Sequence, residues 1–285
     1  MSASPPPATP AFGLIIIGDE ILSGKRADKH LAKYIELLDA RGLHLSYAEY
    51  LGDDRARLVA TLRRAFASGD VVFSCGGIGA TPDDHTRQCA AEALGRPLAL
   101  HPQAATLIRE RMQDVAREQG LPYEPERADN VHRLNMGVFP EGARIIPNPY
   151  NKIPGFSVDQ VHFVPGFPVM AWPMMEWVLD HEYHHRHKTA DWTEMSAIVL
   201  GAMESRLTPL MIGIEARYPS IKVFSLPSVD HPEYGAHIEL GVKGRGSLVA
   251  QAYAELRAEL VALGHTPITE LVRSNKAAPN SATNP

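Results

Sequence analysis

The sequence is poor in cysteine and in long apolar runs, and it carries no excess of basic residues. Its 285 residues include two cysteines, Cys75 and Cys89, too few for a disulfide framework, which favours a reducing, cytoplasmic setting. No apolar run reaches about 18 residues, so we expect no transmembrane helix and no membrane partner. The first residues, MSASPPPATPA, lack the basic and apolar regions of a signal peptide.

Charge excludes a further class of partner. The net charge is −5 and no stretch of the chain is strongly basic, so we expect no nucleic-acid partner. Hydrophobic residues make up 45% of the chain, enough for a sizeable core in one large domain or two modest ones. Pro, Ser and Ala dominate the beginning and SNKAAPNSATNP ends the chain, so we predict disordered tails over residues 1–11 and 266–285.

Apolar periodicity predicts alternating strands and helices in the first part of the chain. GLIII at 13–17 and DVVFSC at 70–75 are typical of buried strands, and LHLSYAEYL at 43–51 alternates like a half-buried one. The remaining predicted elements are strands at 143–146 and 160–164 and helices at 28–41, 54–67, 82–94 and 102–119. We expect Leu31, Ile35 and Leu38 to share the buried face of the first helix. This order predicts a three-layer αβα domain over 12–180 with a mostly parallel sheet.

The pattern changes near residue 181. We predict a linker over 181–192, followed by a small α+β domain over 193–265. Its predicted elements are strands at 196–200, 221–226 and 236–242 and helices at 204–217 and 247–263.

Two of the predicted strands end in glycine followed by acidic residues. The first ends in Gly18-Asp19-Glu20, and the second in Gly76-Gly77-Ile78-Gly79 with Asp83-Asp84 behind it. Glycines let backbone N–H groups approach a phosphate closely, whereas paired carboxylates repel phosphate unless a divalent cation lies between them. The combination suggests a metal–phosphate or metal–diphosphate site. The spacing and side chains fit neither a P-loop nor the dinucleotide-binding G-x-G-x-x-G pattern.

A structural interpretation of both turns stays open. Thr81, Pro82 and Asp84 have the types and spacing of a helix N-cap, first helical residue and capping box. Asp19 and Glu20 have the types that cap a turn. From spacing alone, capping explains these residues as well as ligand binding does.

Taken together, these motifs resemble the MoaB/Mog-type molybdopterin-binding domain, in its CinA-like branch, which is also similar to the N-terminal part of FAD synthases. The resemblance extends over about residues 12–180. It rests on GDEILSG at 18–24, GGIGATPDDHT at 76–86, PNP at 147–149, PGF at 154–156 and VPGFP at 164–168. Residues 204–228 resemble the small KH-like domain that follows in this branch. One departure is Asp28-Lys29-His30, where relatives usually carry Asp-Thr-Asn, and it leaves the choice of substrate open.

The resemblance implies a pterin or nucleotide phosphate in the cleft and assigns roles by position. Asp84 becomes the acid of the Gly-rich motif, a metal or catalytic residue, and Asp19 and Glu20 line the facing turn. With these acids assisting Asp84, we predict Asp84 and Glu20 as catalytic residues and Asp84 and Asp19 as ligands of a divalent metal, Mg²⁺, Mn²⁺ or Co²⁺. Asp28 lines the turn that faces the Gly-rich motif. The resemblance implies a phosphate cradle of Gly76, Gly77, Gly79 and Thr81 and a second wall with Gly166 and Pro168. We add Gly18, Lys25 and Thr86 to the predicted phosphate- and nucleotide-binding residues.

Three further motifs are weaker. HEYHH at 181–185 matches the H-E-x-x-H zinc-protease signature, but it lies at the predicted domain junction without an obvious third ligand, so a solvated linker is the favoured interpretation. Whether His181, Glu182 and His185 bind metal stays open. Gly241-Val242-Lys243-Gly244 matches the KH-domain G-x-x-G loop, yet it follows a strand, which argues against RNA binding. Cys75 beside the glycines is interpreted as a core-edge residue rather than a nucleophile.

The resulting hypothesis is a metal-dependent hydrolase that cleaves the diphosphate bond of an ADP-ribose- or FAD-like nucleotide. In that hypothesis Lys25 or Arg26 offsets charge on the leaving group. The alternatives are a protein that binds or adenylylates molybdopterin, and a non-catalytic nucleotide-binding module. Related domains occur as dimers and trimers, so we also expect a homo-oligomer.

Overall fold

The computed structural model of the protein describes residues 10–187 and 192–274, which fall into two compact units. The first contains residues 10–39 and 43–185, and the second contains residues 40–42, 186–187 and 192–274. The strands of the first unit are β1 (Phe12–Ile17), β2 (Leu45–Leu51), β3 (Val71–Cys75), β4 (Leu98–Leu100), β5 (Val138–Pro140), β6 (Arg144–Ile146), β7 (Gly155–Val158) and β8 (Val161–Val164). Its helices are α1 (Asp19–Leu22), α2 (His30–Asp39), α3 (Arg55–Ser68), α4 (Thr86–Leu94), α5 (Pro102–Glu118), α6 (Ala128–Leu134) and α7 (Pro168–Glu182).

The central sheet of the first unit has the order β2-β1-β3-β8-β7-β6. Its first four strands are parallel neighbours, and β7 runs antiparallel to both β8 and β6. The sheet is therefore mostly parallel, as predicted. A short antiparallel pair, β4 with β5, forms separately.

Helices cover both faces of this sheet, and β1 shows why its sequence is apolar at every position. Leu14 and Ile16 belong to a core that includes residues of α2 and α7, whereas Ile15 and Ile17 belong to a second core with residues of α3, α4 and α5. Successive side chains of a strand point to opposite faces, so a strand between two helical layers has no solvent-facing side. The predicted three-layer αβα architecture is confirmed.

The buried face of α2 differs from the prediction. The helix begins at His30, because the Asp28 carboxylate accepts hydrogen bonds from the backbone N–H groups of His30 (2.8 Å) and Leu31 (3.1 Å). Its buried residues are His30, Tyr34, Leu37 and Leu38, while Ile35 is 40% exposed. The ring of Tyr34 packs on Phe73 of β3, with 5.0 Å between ring centroids, so Tyr34 rather than Ile35 faces the core.

The second unit has an antiparallel sheet with two helices. Its elements are β9 (Trp192–Leu200), α8 (Glu204–Arg217), β10 (Lys222–His231), β11 (Gly235–Arg245), α9 (Leu248–Ala262) and β12 (Thr269–Ser274), with strand order β10-β11-β9-β12. Apolar residues of α8, α9 and the strands form one core, including Leu207, Leu256 and Leu240. The predicted α+β class is confirmed, and the predicted helix at 204–217 has the observed bounds. The G-x-x-G residues 241–244 lie within β11 rather than in a loop.

The predicted segment boundaries need two corrections. Residues 269–274 of the predicted C-terminal tail form β12, which pairs with β9 from Thr269↔Ile198 to Ser274↔Thr193. The predicted linker 181–192 is also too long, because α7 continues to Glu182 and β9 begins at Trp192. At the other tail, the N–H of Ala11 donates to Asp70 (2.8 Å). Residues 1–9, 188–191 and 275–285 lie outside the described residues.

Candidate active site

The candidate site lies where three neighbouring parallel strands end. β1, β3 and β8 are adjacent in the sheet, so their carboxyl ends meet at one edge. The turns that follow are residues 18–29, 76–85 and 165–167. Ligands of open parallel sheets bind at this edge, because strand ends and helix N-termini converge there.

Two glycines at the end of β3 have conformations and neighbours that leave no room for a side chain. Gly76 has φ +108°, and a Cβ there would lie 2.4 Å from the carbonyl oxygen of Ile17. Gly77 has φ +67°, and its Cβ would lie 2.1 Å from Thr86 Oγ1. Thr86 holds the turn by donating from its hydroxyl to Gly76 O (3.1 Å) and from its N–H to Gly77 O (3.0 Å). The backbone of β3 therefore turns tightly against both β1 and α4.

The amides beyond this turn are available to a ligand. Within the described chain, the backbone N–H groups of residues 77–80 donate to no protein acceptor. These are consecutive unpaired N–H groups at the carboxyl end of β3 and ahead of α4. Such groups form a concave site for the oxygens of an anion.

Asp84 shapes the loop and does not cap a helix that starts at residue 82. Its carboxylate accepts hydrogen bonds from the N–H of Thr81 (2.8 Å) and from the Thr81 hydroxyl, and its own N–H donates to Thr81 O (3.0 Å). The helix begins only at Thr86, so the predicted start of the 82–94 helix is wrong. The reason is local: Thr81 and Asp84 bond to each other and close a turn. A Cβ on Gly79 would lie 2.5 Å from Asp84 Oδ2, so the carboxylate rests against the glycine loop.

Arg87 holds this loop in place through hydrogen bonds to backbone carbonyl groups. It is 5% exposed, and its guanidinium donates to Gly79 O (2.6 Å) and to Asn135 O (2.9 Å). Burial lowers the pKa of Arg87, and the charge of Asp84 raises it. The guanidinium thus links the glycine loop to the segment that follows α6. No sequence motif singled out Arg87, because its role depends on two carbonyl groups far apart in the chain.

The acidic turn after β1 is joined to the end of β2. The N–H of Asp19 donates to Asp53 Oδ2 (3.0 Å), and the N–H of Asp53 donates to Asp19 Oδ1 (3.2 Å). Burial raises the pKa of Asp53, as do the charges of Asp19, Glu20 and Asp83, while the N–H of Asp19 lowers it. The three neighbouring carboxylates therefore oppose the ionisation of Asp53. Asp53 was not predicted, although it follows a strand adjacent to β1 and carries the same kind of side chain.

The donor chemistry of this region suits a divalent cation. Carboxylate oxygens are the ligands that Mg²⁺ and similar ions prefer, and the charges of Asp19, Glu20 and Asp83 add to burial in raising the pKa of Asp53. Among the described residues, no group of three or more His, Cys, Asp or Glu side chains is already arranged to hold a metal ion. The metal ligands Asp84 and Asp19 stay a prediction.

A cavity of about 280 Å³ opens beside these turns. Glu20, Gly166 and Pro168 are the predicted site residues that line it, together with Arg26, Lys29, His30, Cys75 and Phe167. A Cβ on Gly166 would lie 3.5 Å from Gly76 Cα, so the cavity wall reaches the glycine turn. The other predicted site residues, which do not line the cavity, are Gly18, Asp19, Lys25, Gly76, Gly77, Gly79, Thr81, Asp84 and Thr86.

His30 fixes one wall of the cavity. Its Nε2 lies 3.0 Å from Gly166 O, and because a carbonyl oxygen only accepts, Nε2 carries the proton. Nδ1 is then an acceptor, and it is buried without a hydrogen-bond partner among the described residues. The side chain joins the start of α2 to the turn before α7. The predicted role of Asp28 in the facing turn stays a prediction; its carboxylate caps α2 and accepts from the Tyr50 hydroxyl (2.8 Å).

The zinc-protease signature has no matching geometry. α7 ends at Glu182 and His185 lies in a separate 3₁₀ turn (His184–Arg186), so the two histidines do not share an α-helical face. The ring of His181 stacks on Trp177 and its Nδ1 bonds to Trp177 O (2.8 Å). Glu182 accepts from Arg144 (2.8 Å). These side chains are used in ordinary surface contacts.

Comparison with known proteins identifies the family of the αβα unit. Residues 13–185 match the family described as "Probable molybdopterin binding domain". The chain belongs to this family. The match covers the whole αβα unit, including the turns after β1, β3 and β8, and it confirms the resemblance predicted from the motifs.

Curated relatives of this molybdopterin-binding family member carry the name CinA-like protein. One from Anaeromyxobacter dehalogenans (strain 2CP-C) is 29% identical over 282 residues, covering 89% of this chain and 67% of its own length. Another, from Anaeromyxobacter sp. (strain K), is 33% identical over 173 residues, covering 59% of this chain and 40% of its own length. The chain thus spans only part of each relative.

A solved structure is also similar, the protein CinA with unknown function from Thermoplasma acidophilum. It is 26% identical, with a TM-score of 0.49, and covers 60% of this chain and 96% of its own. Separately, none of the helices in the described ranges is long and apolar enough to span a lipid bilayer.

Proposed function

We propose that this protein is a metal-dependent hydrolase that cleaves the diphosphate bond of an ADP-ribose- or FAD-like nucleotide. The observation that carries the proposal is the row of unpaired backbone N–H groups at residues 77–80, against which the Asp84 carboxylate rests at Gly79. A group of further carboxylates, Asp19, Glu20 and Asp83, acts on Asp53 at the neighbouring turn. Amides bind phosphate oxygens, whereas carboxylates nearby repel them. A divalent cation between the carboxylates and the phosphate removes that repulsion.

In the proposed reaction, each group of residues has its own role. The amides of residues 77–80 hold phosphate oxygens in a fixed orientation, and Asp84 keeps the loop in shape through Thr81. Arg26 and Lys29 line the cavity and attract the anionic substrate. Glu20 is the acid that lines the cavity, where its carboxylate can take a proton from the attacking water. A divalent cation, held by Asp84 and Asp19 with their neighbouring acids, would supply positive charge to the diphosphate.

A screen of the purified chain tests this proposal. ADP-ribose and FAD are incubated with Mg²⁺, Mn²⁺ or Co²⁺, and AMP release is measured by chromatography. We expect metal-dependent AMP release that Asp84→Asn lowers on the order of 100-fold. Asp230→Asn, the same substitution at an exposed position of β10, serves as the matched control and should keep wild-type turnover.

Thermal melting separates chemistry from folding in this screen. Asparagine keeps the shape of Asp84 and one acceptor for Thr81, so Asp84→Asn should remain folded. An absence of turnover with every substrate and metal would refute the hydrolase proposal. Turnover that survives Asp84→Asn would remove that residue from the mechanism.

A second candidate function is favoured by the family match over residues 13–185, whose description names molybdopterin. In this alternative the cleft binds a pterin phosphate without hydrolysing a diphosphate, or adenylylates it. Tight binding of molybdopterin with no AMP release from ADP-ribose would favour it. Ligand binding without any turnover would leave a non-catalytic nucleotide-binding module. The homo-oligomer, a dimer or trimer, stays a prediction that light scattering can check.

A further inference from the structure

Phe167 is a large apolar side chain left open at the candidate site. It lines the cavity beside Gly166 and Pro168, and it is 55% exposed. An exposed aromatic ring costs free energy in water, since its faces stay hydrated instead of packing. At the wall of a cavity, such a ring has a free surface for a ligand.

The backbone holds Phe167 firmly in place. It is the residue that precedes the first turn of α7, and its carbonyl oxygen accepts from the N–H groups of Met170 (3.0 Å) and Ala171 (2.9 Å). Pro168 follows at the first helical position, and the preceding Gly166 O accepts from His30 Nε2 (3.0 Å). A ring on a fixed backbone loses little conformational entropy when it binds a flat partner.

The other residues of the cavity suit a ligand with both a flat ring and a phosphate. Arg26 and Lys29 line the cavity, and neither forms an ion pair with a described residue. The unpaired amides of 77–80 follow Gly76, which borders the same wall at Gly166. An aromatic face near free cations and amides matches the two ends of a nucleotide.

We infer that the ring of Phe167 stacks on the planar heteroaromatic ring of the ligand and so selects nucleotides over sugar phosphates. The inference rests on the proposed function, in which that ring is the adenine of the substrate. An aromatic side chain stacks on any flat ring with little selectivity among bases. Phe167 therefore contributes affinity for the ring, while the amides of residues 77–80 position the ligand through its phosphate.

Binding of AMP and of ribose 5-phosphate, measured by calorimetry on the full chain with Mg²⁺, tests the inference. Ribose 5-phosphate carries a hydroxyl at the position where AMP carries its adenine, so the pair isolates the contribution of the base. Phe167→Ala should weaken AMP binding roughly tenfold or more and change ribose 5-phosphate binding less than about twofold. Phe167→Trp should restore AMP affinity, whereas Phe167→Leu, which is apolar but not planar, should not.

The outcomes separate this inference from the proposed function. Equal weakening of both probes in Phe167→Ala, or full affinity for AMP in Phe167→Leu, would overturn the stacking role even if ADP-ribose is hydrolysed. Wild-type protein that binds AMP no better than ribose 5-phosphate would overturn it too. Phe167-dependent AMP binding without any hydrolysis would support the inference and refute the hydrolase.

Discussion

At the scale of single residues, Cys75 shows how burial decides chemistry. The thiol ends β3 beside Gly76 and lines the cavity, yet Cys75 is only 1% exposed. Burial first, and the charge of Asp28 second, raise the pKa of the Cys75 thiol well above its usual range. Since the thiolate is the reactive form, we expect native protein at neutral pH to resist a thiol reagent such as DTNB.

Cys89 serves as the internal control of the labelling experiment. Cys89 is also buried, and burial raises the pKa of its thiol. Both thiols should react after unfolding in guanidinium chloride, and neither before it. Rapid modification of native Cys75, mapped by peptide mass spectrometry, would contradict the prediction and return Cys75 to the candidates for catalysis.

Sequence reasoning found the residues of the site that belong to contiguous motifs and missed those assembled by the fold. Glu20, Gly166 and Pro168 were predicted and line the cavity. Asp53 was missed because its partner Asp19 is 34 residues away, although the order β2-β1 places the two turns side by side. Phe167 was missed because nothing in a sequence shows that an apolar residue will remain exposed.

At the scale of elements, the turn from β3 to α4 depends on Gly77 for two separable reasons. Its φ of +67° is unfavourable for any residue with a Cβ, and the Cβ would also meet Thr86 Oγ1 at 2.1 Å. Left-handed backbone costs about 1–2 kcal/mol, and a contact that forces its neighbour to move adds about 1–3 kcal/mol. We therefore expect Gly77→Ala to lower the free energy of unfolding by about 2–5 kcal/mol, measured by urea titration.

Gly69 is the matched control for this prediction. It ends α3 with φ +73°, and a Cβ there would have no neighbour within 4 Å. Gly69→Ala should therefore show the backbone cost alone, about 1–2 kcal/mol. If the two variants lose the same free energy of unfolding, the added Cβ at position 77 meets no costly contact with Thr86, and this part of the prediction is wrong.

Helices and strands of the αβα unit were predictable where their apolar period was long and flanked by clear signals. The α3 helix starts where the Asp54 carboxylate accepts from the N–H of Arg57 (2.8 Å). The sequence predicts this cap, because Asp is a favoured N-cap residue and lies directly before the apolar period. The start of α4 was not predictable, because Thr81 and Asp84 have the residue types of a cap but bond to each other in a turn. Strand β7 was missed because Gly155 and Ser157 leave it only two apolar side chains, too few to form a recognisable apolar pattern.

At the scale of the whole molecule, the second unit shows how pairing partners override local composition. Residues 269–274 follow a polar stretch and precede a Pro-, Ser- and Ala-rich end, so the sequence predicts a tail there. They form β12 because β9 offers an open edge, and Arg273 also pairs with Glu194 (2.6 Å) and Glu239 (2.5 Å). A partner that is about 75 residues distant leaves no local signal.

The stability of the protein in acid should depend on one buried histidine. His162 of β8 is fully buried in a chain of hydrogen bonds: Ser157 Oγ lies 2.7 Å from Nδ1, and Nε2 lies 2.8 Å from the Tyr183 hydroxyl. The Tyr183 hydroxyl donates to Gln160, so Nε2–H donates to Tyr183 and Ser157 donates to Nδ1. The neutral ring therefore satisfies every partner.

Acid should weaken the fold through this ring. Burial first, and the charge of Arg144 second, lower the pKa of His162 to about 3, whereas an unfolded histidine titrates near 6.5. Because the unfolded chain binds the proton first, the stabilising contribution is complete above about pH 6.5 and is lost progressively as the pH falls toward 3. One such group changes the free energy of unfolding by up to about 1.4 kcal/mol per pH unit in that window.

Replacing the ring should therefore flatten the pH dependence while lowering stability at neutral pH. His162→Gln loses part of the hydrogen-bond chain between β7, β8 and Tyr183, so it should unfold more easily than wild type at pH above 7, by about 1–3 kcal/mol. The difference should narrow between about pH 6 and pH 4, because only the wild type takes up a proton on unfolding. Urea titrations of both proteins across this range measure the gap, and a gap that stays constant would show that His162 titrates alike in the folded and unfolded states.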